Sequence, residues 1–368
     1  MIPYRTWTTV LLGVLIAFLA ANGLIWTLFT GQLFEFTTYY NGGLDRMGYI
    51  TGSKDYRKPE STLPRKAVEN ADYRGGHIDL VTIGDSFLNV RDNGRDPLVQ
   101  DWIASVHNLD VLNVQRLSRV NLFESVVILA NSGYLDRVRP RFLLLETVER
   151  DCVLGYAPSL DLSGTRSLSE VEGYLSKVRY EFNWPRVGFI NTGNFKFLYT
   201  NMLRRYSDHA FISPVYTLGL SRSLFSVKND RLLLFFEDDL KHIPIATAGT
   251  VAAMNDHLNE LADLLAGKGI RLYFMPAADK YDVYRDDIVD NPYPPSRFFE
   301  LLRPLPRRYT LIDTKALLRE EVARGEKDVY YADDTHWSWK GARKIAESMA
   351  FPPPQHGEQG VRQRSAVQ

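Results

Sequence analysis

HIDLVTIGDSF, residues 77–87, is the stretch of sequence that decides the fold of this chain. Its first seven residues form a short apolar run with β-branched side chains, which is typical of a buried strand. Gly84 ends the run, and a tight turn there places Asp85 and Ser86 just beyond the carboxyl end of the strand. Open α/β sheets bind their ligands at that end of the strands. The stretch therefore predicts a buried strand that carries a serine to a binding edge.

Strands and helices alternate along much of the remaining chain. Predicted strands lie at 111–114, 141–147, 270–275 and 309–312, and predicted helices lie at 122–130, 250–265, 298–305 and 339–349. This alternation predicts an α/β fold, a mostly parallel sheet flanked by helices on both faces. Residues 151–245 break the rhythm and are rich in aromatic residues and turns, so we expect a large insertion there.

The N-terminal region predicts attachment to a membrane. Residues 8–30 contain no charged side chain, and a helix of that length extends about 34 Å, enough to cross a hydrocarbon core of ~30 Å. Arg5 precedes this run and Glu35 is the first charge after it. We therefore expect a cytoplasmic N-terminus at 1–7, an anchor at 8–30 and the rest of the chain on the opposite side. A cleaved signal peptide is the alternative.

The remaining boundaries follow from local composition. Residues 31–76 are polar and rich in turns and predict a stalk and lead-in, 77–350 predict one domain with the insertion at 151–245, and 351–368 predict a disordered tail. Lys plus Arg equals Asp plus Glu at 44 each, so there is no basic excess for nucleic acid. The single cysteine, Cys152, excludes an intramolecular disulfide framework.

A second motif, Asp333-Asp334-Thr335-His336-Trp337, precedes the last predicted helix. A serine hydroxyl becomes a good nucleophile when a histidine accepts its proton, and a carboxylate on the other ring nitrogen orients the histidine. Helix capping is the alternative interpretation of both motifs. A third segment, 140–150, ends a predicted strand with Glu146 and Arg150, which can orient a substrate, brace the serine loop or form a structural salt bridge.

These motifs together resemble a known family. An early Gly-Asp-Ser with a late Asp-x-x-His is the motif order of the SGNH (GDSL-type) hydrolases. Asp334-Thr335-His336-Trp337, followed by Gly341-Ala342, is more closely similar to the AlgJ/AlgX-type polysaccharide O-acetyltransferases, as is Lys280-Tyr281. The resemblance covers about 77–150 and 250–350. In those relatives the Asp-x-His segment precedes the serine, so this chain has a rearranged order.

The resemblance implies a site and an activity. Ser86 would be the nucleophile, His336 the base and Asp334 the orienting acid, although Asp333 fits the SGNH hydrolase spacing. The SGNH blocks that supply oxyanion donors are missing, so Asn113 and Arg116, after the second strand, are the candidates for binding the oxyanion or the substrate. No metal or organic cofactor is implied, and neither a P-loop nor a His-Glu-x-x-His motif occurs.

The implied protein is a membrane-anchored O-acetyltransferase that acts on an exported polysaccharide. Its acetyl group would come from a multipass membrane acyltransferase, and its catalytic domain would lie on the periplasmic or extracellular side of a bacterial inner membrane. Two alternatives remain open, a carbohydrate acetylesterase and a non-catalytic protein of polysaccharide assembly or binding. The latter could use aromatic residues of the insertion, namely Trp184, Tyr199, Tyr206 and Phe211, to stack on sugar rings, whereas core packing is their alternative role.

Overall fold

The computed structural model of the protein describes residues 3–34, 43–55, 63–89, 98–159, 161–180, 187–211 and 213–353. The tail predicted to be disordered lies outside these ranges beyond residue 353, and so does Trp184.

A six-stranded parallel sheet forms the centre of the molecule, in the strand order β1-β3-β2-β4-β7-β8. A separate antiparallel pair, β5 and β6, lies within the predicted insertion. The strands are β1 (Val68–Glu69), β2 (Leu80–Ile83), β3 (Val111–Asn113), β4 (Phe142–Val148), β5 (Val215–Gly219), β6 (Leu232–Phe236), β7 (Arg271–Ala277) and β8 (Thr310–Leu311).

Helices cover the central sheet, as the prediction of an α/β fold requires. They are α1 (Tyr4–Ile25), α2 (Gly31–Phe34), α3 (Leu44–Gly48), α4 (Ser86–Asn89), α5 (Val99–Val106), α6 (Leu122–Asn131), α7 (Tyr134–Val138), α8 (Glu149–Tyr156), α9 (Leu168–Leu175), α10 (Thr192–Leu203), α11 (Asp238–Lys241), α12 (Ala248–Ala266), α13 (Lys280–Tyr284), α14 (Phe298–Leu302), α15 (Thr314–Ala323) and α16 (Trp339–Ser348). A π-helical turn, Trp26–Thr30, joins α1 to α2.

The central strands are buried on both faces because helices pack on each side. All seven residues of β4 are buried. Helix α16 packs on α5 and α15, while α12 packs on β7, α6 and α8. Continuous burial of this kind accounts for the near-continuous apolar sequence of β4, Phe-Leu-Leu-Leu, before its polar end.

The sheet order places a switch point beside the predicted serine. From β2 the chain passes first to β3 on one side and then to β4 on the other. Diverging connections open a crevice at the carboxyl ends of the two central strands, where α/β proteins bind their ligands. Ser86 begins α4 immediately after β2 and therefore lies at this crevice.

The segment predicted as a stalk differs from the prediction in two places. Strand β1 joins the central sheet by pairing Val68 with Leu112, so the domain begins before residue 77. Residues 43–55 pack on the domain, where the side chains of Leu44 and Ile50 are buried in a small cluster with Val215 and Leu234. Burial of these apolar side chains is the physical reason that the segment is docked.

The N-terminal apolar segment is one long helical stretch, Tyr4–Phe34. It is long and apolar enough to cross a membrane, and most of its side chains are exposed in the isolated protein. These properties are compatible with a single-pass anchor and also with a signal sequence.

Candidate active site

Gly84 allows the chain to turn tightly between β2 and Ser86. A Cβ atom at this position would lie 2.3 Å from Oε2 of Glu146 and 2.8 Å from Cδ1 of Leu88. No side chain fits in that space, so the close approach of β2 to the end of β4 requires glycine.

Asp85 fastens the same turn to β4. Its Oδ1 accepts the Phe87 N–H at 2.9 Å, and its Oδ2 accepts the Val148 N–H at 2.8 Å. The Asp85 N–H in turn donates to Oε2 of Glu146 at 2.9 Å. These three hydrogen bonds fix the backbone on both sides of Ser86, which gives its hydroxyl a defined direction.

Glu146 supports this turn as a buried carboxyl group. Burial raises the pKa of Glu146 well above its ordinary range, and the neighbouring Asp85 carboxylate raises it further. The protonated form of Glu146 is therefore favoured relative to that of an exposed glutamate. The sequence left three roles open for Glu146, and its hydrogen bond with the Asp85 N–H corresponds to the bracing of the serine loop.

Ser86, His336 and Asp334 form one hydrogen-bonded chain, although Ser86 is 250 positions from His336 in sequence. The Ser86 Oγ lies 2.8 Å from Nε2 of His336, and Oδ1 of Asp334 lies 3.0 Å from Nδ1. A neutral imidazole protonated on Nδ1 donates to Asp334 and accepts from Ser86 in this arrangement. The imidazole packs on the Phe87 ring, with the ring centroids 4.7 Å apart.

The neighbouring carboxylate of Asp333 has different partners. Its Oδ2 accepts the Asp55 N–H at 3.0 Å, while Oδ2 of Asp55 accepts the Ala332 N–H at 3.1 Å. The Asp333 carbonyl also accepts the Leu44 N–H at 2.9 Å. Asp333 thus ties the His336 loop to the docked 43–55 segment, and Asp334 is the aspartate that contacts the imidazole.

Lys280 holds the same loop from inside the protein. Its fully buried Nζ donates to the carbonyl oxygens of Tyr331, Ala332 and Asp334, at 2.7, 3.1 and 2.9 Å. Burial lowers the pKa of Lys280 to about 8, while nearby carboxylates, Asp333 first, favour its charged form. The sequence marked Lys280 only as part of a resemblance, because its contacts depend on long-range packing.

Glu149, Arg150, His242 and Asp279 form a buried ionic cluster next to Lys280, which holds the His336 loop. His242 lies between Glu149 and Asp279, with its ring nitrogens 3.4 Å from Oε1 of Glu149 and 3.5 Å from Oδ2 of Asp279. Arg150 is within 2.6 Å of Oδ1 of Asp279. The sequence left three roles open for Arg150, and its contact with Asp279 is the one described there as a structural salt bridge.

Three residues of this cluster, Glu149, His242 and Asp279, have ligand atoms close enough together to share a metal ion. Burial lowers the pKa of His242, but the Glu149 hydrogen bond and the Asp279 charge outweigh burial and raise the pKa to about 9. A protonated imidazole has no free lone pair for a metal. The contacts of the cluster join the end of β4 to α13 through the imidazole and guanidinium groups and their carboxyl partners.

The two predicted oxyanion candidates occupy different environments. Asn113 is buried, and its amide group donates to Glu69 and Asn89 at 2.9 Å each and accepts from Thr82 at 3.0 Å. Both N–H bonds of its amide are used, so Asn113 has none for an oxyanion. The Arg116 side chain is exposed and makes no hydrogen bond or salt bridge within the described residues.

The Ser86 N–H is a backbone donor at the site. It is the first N–H of α4, and such groups have no partner within their helix. It donates to no acceptor among the residues that the structure describes. Its position at the turn makes it available to a negatively charged oxygen near Ser86.

Two residues near the site carried no sequence signal. Tyr180 of the insertion is 39% exposed, and partial burial followed by the charges of Asp85 and Asp334 raises its pKa. Burial lowers the pKa of Arg46, against the opposing effects of Asp45 and Asp334. Both residues belong to segments that lack a catalytic motif, and only the folded chain brings them to the site.

Comparison with known proteins supports the predicted resemblance. Residues 233–364 match the family described as an SGNH hydrolase-like domain, acetyltransferase AlgX. The matched range contains Asp334 and His336 but not Ser86. No curated protein matches the chain. The match supports the SGNH-like, AlgX-type resemblance for this part of the chain, and it suggests acyl-transfer chemistry, whether acetyl transfer or ester hydrolysis.

Proposed function

We propose that this protein is a membrane-anchored O-acetyltransferase that carries an acetyl group on Ser86 and transfers it to a polysaccharide hydroxyl. The observation that carries the proposal is the hydrogen-bonded chain from Ser86 through His336 to Asp334. It lies at a sheet crevice in a chain with an AlgX-type family match. Ser86 and His336 are both partly exposed, so solvent reaches the two groups that would exchange the proton.

The first half of the reaction forms an acyl-enzyme. His336 Nε2 accepts the Ser86 proton as Oγ attacks the carbonyl carbon of an acetyl donor, and the resulting imidazolium is stabilised by Asp334. The Ser86 N–H stabilises the developing oxyanion. Collapse of the tetrahedral intermediate expels the donor's leaving group with the proton from His336, leaving acetyl-Ser86 and a neutral imidazole.

The second half transfers the acetyl group to the acceptor. A sugar hydroxyl occupies the position vacated by the leaving group and gives its proton to His336 as its oxygen attacks the acetyl carbon. The proton returns to Ser86 Oγ when the ester bond to the enzyme breaks. Water in the same position would make the protein an esterase, with the same three residues in the same roles.

The proposed setting places a long apolar helix in a bacterial inner membrane and the catalytic domain on its periplasmic or extracellular side. The anchor would keep Ser86 near a multipass membrane acyltransferase that supplies acetyl groups. The uncharged stretch at 8–30 and the single basic residue before it, Arg5, support this orientation. No metal or organic cofactor takes part in the proposed steps.

The experiment that tests this function follows both fates of the acetyl group. Full-length protein in detergent is incubated with an acetyl ester, with and without an oligosaccharide acceptor. Ser86→Ala is the inactive variant, and Ser348→Ala, at the exposed end of α16, is the matched surface variant. We expect acetylated oligosaccharide from the wild type and Ser348→Ala, and none from Ser86→Ala.

Other outcomes separate the alternatives. Acetate release that the oligosaccharide does not change would make the protein an esterase. Acetylation retained by Ser86→Ala would contradict the serine mechanism, and the absence of any ester turnover would favour a binding protein.

A further inference from the structure

Helix α10 of the insertion is joined to the apolar N-terminal helix by buried polar contacts. The Asn194 side chain donates to Oδ1 of Asn22 at 3.0 Å and accepts from the Thr30 hydroxyl at 2.5 Å. Asn22 and Asn194 are almost completely buried. Polar side chains that pair across helices in an apolar setting are typical of helix packing inside membranes.

Aromatic contacts extend this packing along both helices. The Phe195 ring stacks on Phe18 with the centroids 5.8 Å apart, and Phe197 stacks on Phe29 at 4.9 Å. The two helices are thus neighbours along their apolar surfaces.

The outer face of α10 is apolar and uncovered. Phe195, Leu198, Tyr199 and Met202 recur at helical spacing and are each between 49% and 53% exposed. Phe189 and Ile190, just before the helix, are also about half exposed, at 48% and 46%. We name these six residues the α10 face. A soluble surface rarely gathers so many large apolar side chains on one face.

The depth of the contact can be estimated along the anchor helix. Trp7 is the interfacial aromatic residue at the start of the apolar run, and Phe18 and Asn22 lie about 16 and 22 Å further along at 1.5 Å per residue. Both distances fall inside a hydrocarbon core of ~30 Å. The first turn of α10, which contacts these residues, therefore lies at the depth of the leaflet on the domain side.

We propose that the α10 face is a second membrane contact, inserted in the lipid leaflet beside the anchor helix. Because the Phe195 and Phe18 rings stack, lipid in contact with Phe18 would also contact Phe195. Lys196 is exposed on α10 and Arg205 is exposed in the turn that follows it, and both can extend their charged ends to the headgroups. The partner is the bilayer rather than another protein, because the exposed apolar surface continues from α10 onto the anchor.

This contact would fix the height and orientation of the domain above the bilayer. At its other end, α10 connects to the domain through Asn201, whose side chain donates to the Tyr49 carbonyl at 3.1 Å, and through Arg204, which donates to the Gly48 carbonyl at 2.8 Å. A single helix allows the domain to rotate about its axis, whereas two membrane contacts restrict that rotation. The inference rests on the membrane anchoring proposed above and does not depend on the acyl-transfer chemistry.

The test uses spin labels in the full-length chain, reconstituted in vesicles of phosphatidylcholine and phosphatidylglycerol. Single cysteines replace Leu198 in the α10 face, Leu11 in the anchor and the exposed Val289 on the domain. The native Cys152 is buried and its thiol pKa is raised by burial, so wild-type protein treated with the same reagent serves as the labelling control. Collisions with oxygen report lipid, and collisions with a water-soluble nickel chelate report water.

We expect oxygen to increase the relaxation rate of the labels at Leu11→Cys and Leu198→Cys, and the nickel chelate to leave it nearly unchanged. For the label at Val289→Cys we expect a large increase with the nickel chelate and a small one with oxygen. If the label at 198 instead relaxed with the nickel chelate while the label at 11 relaxed with oxygen, the α10 face would be open to water, which would overturn the inference and leave the anchor intact. A nickel effect at all three positions would overturn the anchor as well. Shielding from both reagents at 198, with spin–spin broadening that unlabelled protein dilutes away, would instead indicate a second copy of the chain.

Discussion

At the scale of single residues, the two adjacent aspartates of the His336 loop have separate tasks. Asp334 contacts the imidazole at 3.0 Å, whereas Asp333 accepts a hydrogen bond from the backbone of Asp55. Asp334→Asn keeps the shape but cannot stabilise the imidazolium, so we expect ester turnover to fall on the order of 10³-fold or more with little change in Tm. Turnover and thermal unfolding, measured together in detergent, check this expectation.

Asp333→Asn is the matched variant for this measurement. We expect it to lower Tm and to retain far more turnover than Asp334→Asn, because its carboxylate holds the loop and does not touch His336. If Asp333→Asn instead abolished turnover at an unchanged Tm, Asp333 would be the triad acid, as the SGNH hydrolase spacing suggested.

Gly84 provides a second prediction at this scale. Gly84→Ala places a methyl group 2.3 Å from the Glu146 carboxyl oxygen, so we expect a loss of about 1–3 kcal/mol in the free energy of unfolding and reduced turnover. Gly173→Ala in α9 is the control, because a Cβ atom there meets nothing within 4 Å. Equal stability of the two variants in denaturant unfolding would show that the turn at Gly84 accepts a side chain.

The hydrogen-bonded chain of Ser86, His336 and Asp334 could be predicted from the sequence because each of its motifs is local, and the catalytic role of these residues stays a prediction. Gly84-Asp85-Ser86 follows an apolar run, and Asp334 and His336 are two positions apart. The roles of Glu146 and Lys280 could not be predicted in this way, since the raised pKa of one and the three carbonyl partners of the other result from burial by distant segments. The same reason applies to Asn113, because Glu69 and Asn89, which pair with both N–H bonds of its amide, are distant in sequence.

At the scale of elements, the docked 43–55 segment supports the catalytic loop. Asp55 accepts the Ala332 N–H, so Asp55→Ala removes one of the bonds that hold residues 331–334. We expect a several-fold loss in kcat and faster hydrogen exchange in the peptide that contains Ala332. Asp72→Ala, in an exposed pair with Arg179, is the control and should change neither quantity. Unchanged exchange in Asp55→Ala would mean that the docked segment does not stabilise the loop.

The ionic cluster next to Lys280 gives a prediction for pH. The pKa of His242 is raised from 6.5 to about 9 in the folded protein, so its contribution to stability is complete below pH 6.5 and is lost as pH rises through 9. We expect His242→Gln to be less stable than wild type at pH 6, with a gap that narrows above pH 9. Unfolding is followed across this range, with the exposed His77→Gln as the control. A gap that did not change with pH would show that His242 is not held protonated by its two carboxylates.

The strands and helices with a strong apolar pattern could be predicted from the sequence, and those with a weak pattern could not. The buried strands β2, β3, β4 and β7 and helix α12 lie where apolar runs and helical spacing predicted them. Strand β1 has two residues at the edge of the sheet, too few to show a pattern. The docking of 43–55 depends on contacts with β5 and β6, which are distant in sequence.

At the scale of the whole molecule, one parallel sheet brings together chemistry from widely separated parts of the chain. Ser86 comes from the amino-terminal half, His336 and Asp334 come from the loop before α16, and Lys280 joins that loop to the buried cluster. The insertion supplies α10, and its outer face belongs to the proposed membrane contact. Tyr199, considered from the sequence as a sugar platform, lies on this face. In the proposed account, acyl transfer takes place at the crevice beside Ser86, and a different surface, the α10 face, contacts lipid.

The most direct test of the central claim is the mass of the intact chain after brief reaction with p-nitrophenyl acetate and an acid quench. We expect a gain of one acetyl group in the wild type, mapped to Ser86 by peptide analysis, none in Ser86→Ala and much slower formation in His336→Ala. The absence of both the adduct and released nitrophenol in the wild type, or an adduct that persists in Ser86→Ala, would contradict the account.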